Sequence, residues 1–143
     1  CLSKGLGAPV GSLLLGSKET VRMARRVRKA LGGGMRQAGF LAAAGIYALD
    51  HHRERLRDDH HLAQQIEEIL GEMPFVAEVL PVKTNIIIFR LHDQYEPAKF
   101  LAQLEAQGIL AVPFGGQFIR FVTHLDVSEA ILENLCKALK SIL

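Results

Sequence analysis

Hydrophobic and polar positions follow two rhythms along the chain, and the changes of rhythm mark its elements. Val10 to Leu15 is a short continuous apolar run closed by Gly16, the pattern of a buried strand. Ser17 is a favourable N-cap and Glu19 suits the positive end of a helix dipole. A helix is therefore expected from Lys18 to Leu31, stopped by Gly32-Gly33-Gly34. A second helix, Met35 to Leu49, carries Phe40, Leu41, Ala44, Ile46 and Ala48 with little polar surface, which predicts burial. Polarity then rises sharply over Asp50 to His61, while helical spacing continues to Leu70 with Leu56, Ala63, Ile66 and Leu70 on one stripe. That handover from buried to surface helix is the expected domain boundary, dividing the chain into 1–50 and 51–143.

After Met73-Pro74, the stretches Phe75 to Leu80 and Thr84 to Leu91 read as strands. Ile86-Ile87-Ile88-Phe89 is continuous and β-branched, which predicts a strand that is central or covered on both faces. Pro97 suits the first turn of a helix ending at Gly108, with Phe100, Leu101 and Leu104 on its apolar side. Ile109 to Val112 and Gln117 to Thr123 are two more strands around Pro113-Phe114-Gly115-Gly116. Asp126 and Glu129 resemble a capping box opening a last helix, with Ile131, Leu132, Leu135 and Leu139 facing inward. This order describes an α/β sandwich of mostly antiparallel strands with helices on one side.

Composition narrows the possibilities little. The 143 residues suffice for one ordinary domain, and the net charge of +2 argues for no polyanionic partner. No apolar run reaches the ~18 residues of a membrane span. Cys1 and Cys136 show neither metal spacing nor a disulfide framework, which fits a reducing, cytoplasmic setting. The first helix is strongly basic: Lys18, Arg22, Arg25, Arg26, Arg28 and Lys29 against Glu19 alone. Its face is a solvated surface, a nucleic-acid surface, or a site for a phosphate or for interface salt bridges; no interleaved aromatics support nucleic acid. His51-His52 and His60-His61 do not lie one turn apart on a shared face, and Arg53, Arg55 and Arg57 would repel a cation. A charged surface helix is the expected reading, without a metal.

The candidate chemistry begins at Cys1-Leu2-Ser3-Lys4-Gly5-Leu6-Gly7-Ala8-Pro9-Val10-Gly11-Ser12. A lysine in such a turn is either a solvated loop residue or a desolvated amine free to form an imine. At position 4 it lies where a chain end would fray, so the chain is expected to be the C-terminal piece of a longer polypeptide. Arg120 shares a strand face with Phe118 and Val122, opposite Ile119 and Phe121. It is either a structural or edge-strand arginine or a bidentate carboxylate binder. Lys29 and Arg36 flank the triple glycine as interface salt-bridge residues or as cofactor-phosphate ligands. His124 follows Arg120 on the same alternating face and suits turn contacts before Asp126.

Three segments carry a family resemblance. Ser3-Lys4-Gly5-Leu6-Gly7-Ala8-Pro9-Val10-Gly11-Ser12 resembles the pyridoxal phosphate (PLP) lysine segment of the low-specificity L-threonine aldolases. Lys29 with Gly32-Gly33-Gly34-Met35-Arg36-Gln37-Ala38-Gly39 is similar to that family's second signature. Ile119-Arg120-Phe121-Val122-Thr123-His124-Leu125-Asp126-Val127-Ser128 is similar to its C-terminal strand-to-helix signature. The resemblance implies an α/β chain, the C-terminal part of a fold type I PLP enzyme: the end of the large cofactor domain, then a small α/β domain. It implies a Lys4 imine and Arg120 on the substrate carboxylate; beside it, Lys29 and Arg36 are expected either to bind the PLP phosphate or line the site, or to form interface salt bridges. The implied reaction cleaves L-threonine or L-allo-threonine to glycine and acetaldehyde in a homodimer or homotetramer. An N-terminal remainder of the polypeptide would supply further site residues, so the 143 residues alone are expected to be inactive. Another fold type I PLP lyase, a glycine hydroxymethyltransferase-like enzyme, or a non-catalytic interaction module using the basic helix are the alternatives.

Overall fold

In a computed structural model, residues 1–142 are described. The chain divides into two compact units, Cys1–Glu54 and Arg55–Leu143. The division falls inside the polar stretch that follows Asp50.

The first unit is an irregular N-terminal segment followed by two helices, α1 (Lys18–Ala30) and α2 (Gly39–His51). α1 starts where the sequence predicts: Ser17 is extended, and its hydroxyl accepts the Thr20 N–H at 3.1 Å. α1 buries none of its residues, and its basic side chains form no ion pairs among the described residues. Two expectations fail here. Val10–Leu15 is not a strand, because no other extended segment of the unit pairs with it; Leu13, Leu14 and Leu15 are exposed instead. α2 is apolar yet buries only Gly45 and Ala48, leaving Phe40, Ile46 and Tyr47 open. Hydropathy records what a face is made of, and nothing within this unit covers that face.

The second unit is a four-stranded antiparallel sheet with three helices on one face. Its elements are α3 (Leu56–Gly71), β1 (Val76–Val79), β2 (Ile86–Leu91), α4 (Pro97–Glu105), β3 (Val112–Pro113), β4 (Phe118–Val122) and α5 (Glu129–Ser141). The strand order is β1-β2-β4-β3. β2 is central, as its β-branched run predicts, but it alternates: Ile87, Phe89 and Leu91 are buried while Ile86 is exposed. β4 answers with Ile119 and Phe121 inward, paired opposite Phe89 and Ile87. Against this face α3 brings Ile66 and Leu70, α4 brings Phe100 and Leu104, and α5 brings Leu135 and Leu139.

Phe89 sits at the centre, with ring centroids 5.1 Å from Phe121 and 6.1 Å from Phe100. Phe89→Ala is expected to cost about 3–5 kcal/mol, read as a lower urea midpoint with an unchanged slope.

β3 starts later than expected and runs on through Pro113, so only Val112 and Pro113 pair with β4. The expected capping box on α5 does not form. Ser128 is the N-cap, without a side-chain cap bond, and Asp126 lies two positions before it, where its own N–H meets His124 Nδ1 at 3.3 Å. His124 thus makes the turn contact expected of it.

One hydrogen bond ties the end of β4 to α3, beside an ion pair at the start of the helix. The buried Thr123 hydroxyl donates to the Asp59 carbonyl at 2.6 Å, and the Asp59 carboxylate takes Arg55 Nη2 at 2.8 Å. Asp59 is fully buried, so this ion pair satisfies a charge that would otherwise be orphaned in the core.

Candidate active site

Lys4, Lys29 and Arg36 belong to the first unit and Arg120 to the second. Lys4 sits in a loop that is fixed by its own backbone. The Leu2 N–H donates to the Gly11 carbonyl at 2.8 Å, the Gly7 N–H to the Lys4 carbonyl at 2.8 Å, and the Ala8 N–H to the Leu2 carbonyl at 3.1 Å. Gly7 takes φ +67°, which closes the turn at no steric cost. Ala8 is buried beneath it.

The loop rests on α2 through Gly45, where a Cβ would stand 3.1 Å from Leu2 Cδ1; the bare backbone permits that approach. His52, the C-cap of α2, adds a bond at 2.7 Å between its Nδ1 and the Leu6 carbonyl. The Lys4 side chain is exposed, and its amine has no partner among the described residues. A rigid backbone carrying an uncommitted amine suits a nucleophile that must meet an electrophile in a set geometry.

Behind α1, Gly32-Gly33-Gly34 lines an open cleft of about 610 Å³ with Arg28, Met35 and Ala38. Lys29 lies over this turn: a Cβ at Gly34 would be 3.1 Å from its Nζ. Arg36 is exposed without a hydrogen bond or ion pair among the described residues. Cationic donors without acidic neighbours around bare glycine backbone favour an anion.

Arg120 lies across the strand from Ile119 and Phe121, as alternation predicts, and in the fold that is the sheet face away from the core, opposite Ile88 on β2 and Val112 on β3. Phe114 comes from the β3–β4 turn, its N–H on the Phe118 carbonyl at 2.8 Å, and its ring centroid lies 5.8 Å from the Arg120 guanidinium carbon. Aromatic contact holds the planar head without consuming its donors. Arg120 Nε is buried and unbonded, and no carboxylate pairs with the side chain among the described residues. By contrast, Arg55 and Arg90 each hold an aspartate, Asp59 and Asp93. An orphaned guanidinium donor on an apolar sheet face points to an anionic ligand.

These residues fit a PLP enzyme: an unpartnered amine for an aldehyde, cations for a phosphate, and an orphaned guanidinium for a carboxylate. Sequence reasoning weighs His52 only within a histidine pair for a metal and misses this contact; nothing in the spacing of a helix end links position 52 to a carbonyl at position 6. The His51 and His60 pairs assemble no three-residue metal cluster among the described residues.

The fold is one shared with solved transaminases. A transaminase solved with L-alanine superposes with a TM-score of 0.58 at 21% identity, over 87% of this chain and 34% of that one. The model of the beta-eliminating lyase family matches residues 1–94, and the chain belongs to that family. The low specificity L-threonine aldolase of Escherichia coli K12 is 44% identical over 94% of this chain and 39% of its own length. A probable low-specificity L-threonine aldolase of Arabidopsis thaliana is 41% identical over 99% of this chain and 41% of its own. The chain thus spans about two-fifths of the length of these curated relatives. No helix among the described residues is long and apolar enough to cross a membrane.

Proposed function

We propose that the chain is the C-terminal part of a PLP-dependent L-threonine aldolase, cleaving L-threonine or L-allo-threonine to glycine and acetaldehyde. Residues 1–50 complete a large cofactor domain and 51–143 form a small one. The observation that carries this reading is the Lys4 loop: a backbone tied by three hydrogen bonds that leaves its one amine unpartnered. Identity of 41–44% to named aldolases across nearly the whole chain supports it.

When bound, PLP supplies an electron sink for the pair left at Cα as a bond there breaks. Lys4 Nζ would be the attachment point for the aldehyde, and as a free amine it could hold a proton near Cα. Lys29 and Arg36 bind the phosphate as point charge and fork. Arg120 takes the substrate carboxylate in a two-point grip. That grip would fix the orientation of the substrate about Cα, and so which of its bonds is disposed to break. Loss of the β-hydroxyl proton and gain of one at Cα balance the products.

A homo-oligomer fits the open apolar side of α2, as a dimer or tetramer, and the free thiols of Cys1 and Cys136 fit a cytoplasmic setting. The family's description favours one rival, β-elimination. Product analysis on the full-length polypeptide separates them. Acetaldehyde and glycine in equal amounts support aldol cleavage, while 2-oxobutanoate and ammonia would replace it with elimination.

A further inference from the structure

We propose that His52 is a positioning residue for Lys4, its ring pinning the loop that presents the amine. The inference rests on the reading of Lys4 as the cofactor lysine. A carbonyl oxygen only accepts, so the 2.7 Å bond to Leu6 requires the proton on His52 Nδ1. The residue is held at two other points. Its backbone N–H caps α2 on the Ala48 carbonyl at 2.9 Å, and Tyr47 meets it edge-on with centroids 5.5 Å apart.

The anchor falls at the right place in the loop. The Lys4 and Leu2 carbonyls are consumed inside the loop by Gly7 and Ala8, whereas the Leu6 carbonyl is bound across 46 positions by His52. The bond therefore couples the end of a regular helix to the turn that carries Lys4. A part-buried bond of this kind shifts a local opening equilibrium by about three- to tenfold.

The donor's reach gives a discriminating test. An asparagine amide nitrogen is attached to Cγ, as Nδ1 is, whereas a glutamine amide nitrogen lies one bond further out. His52→Phe, His52→Gln and His52→Asn would be made in the full-length polypeptide. Hydrogen exchange of the Gly7 and Ala8 amides would be followed without cofactor, and covalent capture of added PLP timed by absorbance. The melting temperature serves as a folding control.

The Phe and Gln variants are expected to exchange about three- to tenfold faster and to capture PLP more slowly by a similar factor. The Asn variant is expected to stay within about twofold of wild type. Unchanged exchange in His52→Phe, or Asn and Gln variants that behave alike, would overturn the pin. Exchange that responds as stated, with no PLP on Lys4 even in wild type, supports the pin and overturns the functional reading.

Discussion

Replacing Lys4 with alanine in the full-length polypeptide is expected to abolish covalent cofactor attachment and lower kcat for threonine cleavage by about a thousandfold or more. In the proposed mechanism two roles would be lost together, since the same amine would hold the cofactor and carry a proton near the reacting carbon. Lys4→Arg should be no better, because a guanidinium neither forms the bond nor gives up its proton near neutral pH. Folding should be almost untouched. None of the loop's hydrogen bonds uses the Lys4 side chain, which is exposed and unpartnered. A melting temperature within about 1–2 °C of wild type, alongside the lost absorbance of bound cofactor, is the expected pair of results.

Arg120→Met should separate function from structure at the other residue. Loss of a two-point, charge-assisted grip on the carboxylate is worth about 3 kcal/mol, on the order of a hundredfold in kcat/KM. Lysine should recover little of it, since a point charge cannot reproduce the fork. Stability of the ligand-free protein should move by less than about 1 kcal/mol: methionine keeps the apolar stem, loses the contact with Phe114, and removes a buried Nε that has no partner. A structural arginine would behave in the opposite way, costing about 3–5 kcal/mol through the charge left unpaired. Arg55, which holds the buried Asp59, is the internal control for that behaviour.

Much of this arrangement was legible from residues alone. Ser17 announces α1, the Ile86–Phe89 run announces a central β2, and alternation over Phe118–Val122 puts Arg120 on the face opposite Ile119 and Phe121. Each rests on a rule that acts within a few residues. What was missed depends on partners far away in sequence. Val10–Leu15 has strand composition, but a strand exists only where another pairs with it. α2 has the composition of a buried helix, but burial needs a covering surface. Asp126 and Glu129 have capping-box spacing, yet the turn around His124 moves the cap to Ser128. His52 looked like one more charge on a polar helix end, and its role comes from a carbonyl 46 positions earlier. The order β1-β2-β4-β3 likewise follows from which edges meet.

The most direct test of the central claim is borohydride reduction of the full-length polypeptide saturated with PLP, followed by peptide mapping. The account predicts a reduced cofactor adduct on the peptide that carries Lys4, with loss of the visible absorbance band. An adduct on another lysine, or none under saturating cofactor, would contradict it.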